Sequence, residues 1–468
     1  MQYLFAGILA CFIVVLLAWA PPSYSILLPF CSVIWLGEAF RMGDKLPVSP
    51  QVVCVVLVIA GRLMRRRPLA LLDAMVRNRP LLLFCVLFIG AFLYGVASSA
   101  DAAVMKEDAT SILYFLAIYA LVAATPDLNV GRAVAGIVIV TSLAAIKVLY
   151  LYAVPVDASW LNDWQAGVEI GNSPLDSRIR LRGADVFFFL AAAFPVGTLL
   201  VKKQLLKRVT TLVPIILLGI GMFFSSTRSN WIGFGAMVIV QIAVLYRRKL
   251  LTARTRTGVL MGVVLLVGLM VALSIKQEYS VAEKVKLRFQ DRDRDVSVQF
   301  RVDEAQALVD AVGSSFIFGL GLGAQYPDPN DYFQTASGWS HNGFLFLYLK
   351  MGLVGLLVYA AILADLFRRL WRICMTSQDP DEISLHLGFL GALVCLCVLS
   401  LTVNKNFAVS GAIFSGLALG MCHRLPRGPR SEQRGAFVAP RHAVRDQAPR
   451  LILGDSPSHL AAPGCQPK

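Results

Sequence analysis

The chain opens with MQYLFAGILACFIVVLLAWA, twenty residues without a charge. Similar apolar runs recur near 24–40, 47–62, 81–99, 109–125, 133–152, 183–201, 210–224, 231–246, 258–275, 342–367, 385–402 and 408–422. A bilayer core needs about 17–25 such residues per helical crossing. Hydrocarbon offers the backbone no hydrogen-bond partners, so repeated runs of this length must be helices. The fold class is therefore an all-α polytopic membrane protein with about 12 (12–13) transmembrane helices. Composition agrees: 57% of residues are hydrophobic and 16% charged, against roughly a quarter charged in soluble domains. The first run lacks a basic leader and is long for a signal peptide, so it reads as an uncleaved span.

Basic loops orient the spans. RLMRRRP (62–68), KKQLLKR (202–208), RRKLLTARTR (247–256), RRLWR (368–372) and HRLPRGPR (423–430) mark the cytoplasmic side. From the fourth span onward the crossings alternate correctly between them. Segments 101–108, 153–182, 225–230, 276–340 and 403–407 then lie outside. Thirteen crossings would put the N-terminus outside as well, and twelve would put both ends inside. The net charge of +15 follows from these loops. No soluble basic face with interleaved aromatics exists, so nucleic acid is not an expected partner. Residues 1–422 read as one transmembrane domain that includes loops 153–182 and 276–340. Residues 423–468, rich in Pro, Arg and Gly, read as a disordered cytoplasmic tail. The nine cysteines have neither disulfide nor zinc spacing and read as small apolar side chains.

The informative feature is a violation of the charge rule. Arg178, Arg180, Arg182, Arg228, Arg288, Arg292, Arg294 and Arg301 all fall on the outer side. In RIRLR an extended backbone would point Arg178, Arg180 and Arg182 to one face. Guanidinium groups bind phosphate bidentately and stay charged, so arginines held there point to an anionic substrate. Lipid head-group anchoring is the competing reading. In DRDRD (291–295) the interleaved aspartates neutralise Arg292 and Arg294. Arg228 has no acid close by in sequence, and Arg182 has only Asp185 to share, so these two are the stronger substrate candidates.

Of the five histidines, His341 alone is expected outside. An imidazole there suits a general base working near neutral pH. The alternative, a polar helix cap, could be supplied by Ser340 or Asn342. Lys350 follows by nine residues, on the opposite side of the same helix. It needs a partner or a water path, and Glu38 is one candidate. VDEAQALVDAV (302–312) has the spacing of a short amphipathic helix. Glu278, Glu283, Asp303 and Glu304 read as solvated faces of the outer loop. GLGLG (319–323) lacks the strand and helix of a nucleotide loop and reads as a flexible turn that lets the outer loop fold back. Apart from the arginine-interleaved DRDRD, no HExxH, DxD or carboxylate cluster lies outside, so no metal and no cofactor are expected.

Four stretches in order resemble the O-antigen ligase and O-antigen polymerase superfamily. They are RLRGADVFFFLAAAFP (180–195), SSTRSNWIGF (225–234), FRVDEAQALVDAVGSSFIFGLGLGAQY (300–326) and HNGFLFLYLKMGLVGLL (341–357). The resemblance spans about 80–420. It implies a GT-C-like helical bundle with a large periplasmic loop between the spans near 258–275 and 342–367. It implies a bacterial inner-membrane enzyme whose active site faces the periplasm. Such an enzyme moves a glycan from undecaprenyl pyrophosphate to an acceptor glycan or lipid A-core, without metal, among membrane lipids.

By the same resemblance His341 would activate the acceptor. Arg182, Arg228 and Arg301 would hold the pyrophosphate, with Arg180, Arg288 and Asn342 as secondary candidates. The sequence departs from the pattern where Lys350 and Met351 precede Gly352, a place where relatives often carry an acid. A transporter or flippase of lipid-linked glycans is the alternative, and it would require charges near mid-membrane and broken helices.

Overall fold

The computed structural model describes residues 76, 78–123, 125, 128–153, 168–170, 179–181, 185–201, 205–225, 228–250, 296–327, 337–338, 340–401 and 409–424. The spans expected at 2–20, 24–40, 47–62 and 258–275 lie outside these residues, as does the tail beyond Arg424.

Ten helices account for most of the described chain: α1 (Arg79–Ala97), α2 (Ala102–Ala123), α3 (Val130–Ala153), α4 (Asp185–Val201), α5 (Leu205–Ser225), α6 (Arg228–Arg247), α7 (Val296–Val312), α8 (Gly343–Thr376), α9 (Pro380–Ser400) and α10 (Val409–Arg424). Among the described residues, five helical stretches are long and apolar enough to cross a membrane: Arg79–Ala97, Val130–Tyr150, Asn230–Arg247, Gly343–Thr376 and Pro380–Ser400. Val186–Val201 and Thr210–Met222 are shorter apolar helices. Between α3 and α4, strands β1 (Val168–Ile170) and β2 (Ile179–Leu181) pair antiparallel, with Glu169 opposite Arg180. The extended backbone expected of RIRLR is thus present over 179–181.

Helix α4 sits at the centre of the bundle. Its VFFFLAAA stretch, Val186 to Ala193, is buried at every position, and a helix apolar all round must have neighbours all round. Those neighbours are α3, α5, α6, α9 and, more lightly, α10. Gln241 on α6 donates to the carbonyls of Ala193 on α4 (2.9 Å) and Leu387 on α9 (3.2 Å), linking three helices through one amide. Small residues let helix backbones approach closely: Gly416 and Gly420 set α10 against Phe115, Tyr119 and Val122 of α2. Helix α1 is different. It buries Leu81, Phe84, Phe88 and Ala91 on one face and exposes Leu83, Ile89 and Leu93 on the other, as a helix at the rim of a membrane bundle does.

Contacts at the two ends reproduce the alternation read from the basic loops. At one end Arg248 donates to the carbonyls of Cys374 (2.7 Å) and Ser377 (2.6 Å), joining the close of α6 to the close of α8. His423 meets Asn78 (3.0 Å) and Tyr119 (3.3 Å) at this end. At the other end the Asn342 amide donates to the carbonyl of Leu401 (3.2 Å), joining the start of α8 to the close of α9.

Helix α8 is broken. At Gly352 the backbone takes φ 65° and ψ −166°, a region essentially reserved for glycine. The segment between α7 and α8 fills the break. The N–H groups of Leu320 and Gly321 donate to the carbonyls of Leu349 (2.8 Å) and Lys350 (3.1 Å). Beyond the break, the N–H groups of Leu353 and Val354 donate to the carbonyls of Phe316 (2.8 Å) and Ile317 (3.1 Å). The loop thus splints both halves of the helix. The glycine-rich turn expected to be flexible is instead wedged in place. A Cβ on Gly319 would lie 2.5 Å from the Gly352 nitrogen, and one on Gly321 2.9 Å from the Gly95 nitrogen. The reason is steric: only backbone without side chains fits between α1 and the α8 break.

Candidate active site

Helix α7 builds the site. Glu304, Leu308 and Val312 recur at a spacing of four and share one face. Leu308 and Val312 are buried in a small core with Tyr326 and Leu349, bordered by Leu345 and Tyr348 of α8. That core lays α7 against the first turns of α8, and Glu304 goes in with it at 3% exposure. This corrects the expectation of a solvated carboxylate, because the apolar stripe that buries Leu308 also carries Glu304 inward. Asp303, one position on, does stay at the surface and accepts from Gln299 (2.8 Å).

Three groups converge on Glu304. The backbone N–H of His341 reaches Oε1 at 3.1 Å, and His341 Nδ1 lies 3.2 Å from both carboxylate oxygens. The Tyr326 hydroxyl donates to Oε1 at 2.7 Å. Burial pushes the Glu304 carboxyl up, but the hydrogen bonds from His341 and Tyr326 outweigh it and hold the carboxyl below its ordinary value. The His341 side chain keeps 36% of its surface exposed. Phe300, one turn before Glu304 on α7, meets the imidazole edge-on with ring centroids 5.4 Å apart.

His341 does not cap its helix. Asn342 does: its Oδ1 accepts from the N–H groups of Phe344 (2.9 Å) and Leu345 (3.1 Å), and its Nδ2 is used on Leu401. This capping leaves the imidazole available. Arg301, half-buried, stands on α7 three residues before Glu304, hence on an adjoining part of the same face. Arg228 is the first residue of α6, and Arg180 lies in β2. Arg182 and Arg288 lie outside the described residues. The described structure therefore brings His341, Asn342 and the α7 face of Arg301 together.

Beneath the site, Lys350 pairs with Asp108 of α2 at 2.7 Å, with side-chain exposures of 0% and 5%. Lys350 Nζ also donates to the Ala324 carbonyl (2.6 Å), and the Gly323 N–H donates to Asp108 (2.8 Å). The partner of Lys350 is therefore Asp108, an acid in the second turn of α2. Glu38, the partner considered from sequence, lies outside the described residues.

Sequence reasoning missed two residues here, Glu304 and Asp108. The signal for Glu304 was its place on the Leu308–Val312 stripe. For Asp108 it was an acid at the head of an apolar run, across 215 positions from the loop it binds.

Residues 213–360 match the family model described as O-antigen ligase. The matched stretch contains Arg228, Arg301, Glu304, His341, Asn342 and Lys350. No curated protein matches the chain. A partly exposed imidazole held by a buried carboxylate at the head of a broken membrane helix lies within that stretch, and the match supports a place for the chain in the O-antigen ligase and polymerase superfamily.

Proposed function

We propose that the protein is a glycosyltransferase of the bacterial inner membrane. It moves a glycan from undecaprenyl pyrophosphate to an acceptor hydroxyl at the periplasmic face. The acceptor is a growing polysaccharide or lipid A-core. The observation that carries this reading is His341, seated on Glu304 yet partly exposed, at the end of the bundle opposite the Arg248 and His423 contacts.

In this reading the acceptor oxygen attacks the anomeric carbon of the donor sugar. The new carbon–oxygen bond forms as the bond to pyrophosphate breaks, and the hydroxyl proton passes to His341. The leaving group departs as undecaprenyl pyrophosphate. Its charge is held by Arg182, Arg228 and Arg301, with Arg180 and Arg288 as secondary contacts. Asn342 serves the site by fixing the first turn of α8 rather than by touching substrate. No metal takes part, so turnover persists in EDTA. Residues 1–422 carry the activity, and the segment 423–468 is a cytoplasmic tail.

One observation bears on transport as the second reading. A broken helix beside a buried charge pair is what lipid-glycan transport would require. Here the break is closed by four loop hydrogen bonds and the Lys350–Asp108 pair is sealed, so neither lines a path.

The test is reconstitution in liposomes with labelled undecaprenyl-pyrophosphate glycan, offering each acceptor in turn. A ladder of products identifies a polymerase, and a single transferred product a ligase. Donor crossing the bilayer without any transfer would replace the enzyme with a flippase.

A further inference from the structure

We infer that Glu304 is a positioning residue for His341: its carboxylate fixes the imidazole through Nδ1 so that Nε2 is the nitrogen presented to the acceptor hydroxyl. This rests on His341 being the base in the reaction proposed above.

An ionised carboxylate only accepts hydrogen bonds. With Glu304 ionised, each of its close partners must donate: the His341 backbone N–H, the Tyr326 hydroxyl and His341 Nδ1. Nδ1 is then the protonated nitrogen, and the neutral ring keeps its lone pair on Nε2. Among the described residues none bonds Nε2. An imidazole can act as a base only through the nitrogen that lacks a proton, so the partner of Nδ1 decides which nitrogen does the chemistry.

A carboxylate needed only for folding would be satisfied by the backbone N–H and the tyrosine. The ring contact adds something else, because it removes the freedom of the imidazole to turn. Phe300 closes a second side of the ring at an interplanar angle of 90°. Tyr326 is itself fixed by paired backbone hydrogen bonds with Ser337, each 2.9 Å. Carboxylate, ring and loop thus form one frame. When the acceptor hydroxyl gives its proton to Nε2, the ring becomes an imidazolium with a proton on each nitrogen. Glu304 stabilises that cation across 3.2 Å without taking the proton, and the proton then leaves to water. The same division of labour operates in the Ser-His-Asp triad.

Glu304→Gln preserves size, but its amide N–H faces Nδ1 and favours the tautomer with the proton on Nε2. In reconstituted transfer assays, kcat falls by about 100-fold or more while KM for the donor lipid changes by less than about threefold. Glu304→Asp recovers part of the loss. Combined with His341→Ala, Glu304→Gln changes the residual rate by less than about twofold, because a residue that acts through another has nothing left to act on.

A kcat for Glu304→Gln equal to that of the unaltered protein, or full multiplication of the two effects, overturns the inference. If His341→Ala is inactive and Glu304→Gln is fully active, only the positioning role falls. If His341→Ala is itself fully active, the reading of His341 as base falls first. A second measurement reads the unaltered protein: ¹⁵N NMR of the histidine-labelled protein, with the His341 signal assigned by its loss in His341→Asn. Protonation at Nδ1 supports the inference, and protonation at Nε2 alone overturns it.

Discussion

Two acid–base pairs flank the same loop, and they differ in almost every respect. Lys350 and Asp108 meet at 2.7 Å with both side chains sealed from solvent. His341 and Glu304 meet at 3.2 Å, with the acid buried and the imidazole partly open. The first pair binds the loop at Gly323 and Ala324, the second at Tyr326. A sealed pair in low dielectric is costly to disturb and has no access to a substrate proton. A pair with one open partner can exchange a proton while the closed partner keeps its geometry. In the proposed reaction the contrast separates a lock from a base within a few residues of chain.

The sharpest way to break that contrast is to remove the working side. His341→Ala abolishes glycan transfer, at least about 1,000-fold, while protein level and donor binding remain as before. Normal transfer by this variant would erase the distinction.

Next in size is removal of the lock. Lys350→Met leaves Asp108 buried without its cation, and unfolding in detergent becomes easier by about 3–5 kcal/mol. Adding Asp108→Leu restores most of that stability, since removing both charges is far cheaper than removing one. An unchanged single variant would mean that the pair does not hold the loop.

Gly352→Ala should cost about 1–3 kcal/mol for its backbone conformation alone, and more because its methyl would meet the Ile317 backbone. Limited proteolysis across 313–338 reads whether the splint has come loose. Asn342→Ala removes a cap worth about 0.5–2 kcal/mol. Its thermal midpoint should fall modestly and transfer should fall far less than in His341→Ala.

The smallest effect is the pH response of the Glu304 cluster. The folded-state carboxyl lies below its ordinary value. Its contribution is therefore complete above the unfolded value near ~4.3 and is lost as pH falls through the lower folded one. Proteolytic release of α7 should be flat from neutral pH down to the ordinary carboxylate range and rise only below it.

These residues also mark how far the sequence could be read. The helices, their alternation and the capping role of Asn342 or Ser340 were legible because each depends on neighbours within a turn or two. His341 was legible through its isolation from the other histidines. Glu304 was half legible: the periodicity of α7 was visible, but which acid faced inward depended on α8 lying against Leu308 and Val312. Asp108 was not legible as the partner of Lys350, because nothing local links an α2 acid to an α8 lysine. GLGLG looked like slack because glycines permit mobility and close approach alike. Only the break at Gly352 shows which use applies.

That break also has a bearing on the order of assembly. The carbonyls that complete α8 belong to Phe316 and Ile317, and Glu304 stands 37 positions before the histidine it holds. Closing loops of a few dozen residues is entropically cheap. The unit from α7 through α8 can therefore zip together from contacts close in the chain, before α9 and α10 emerge during synthesis. Asp108, made far earlier in the chain, meets that unit through Lys350 and the Gly323 N–H.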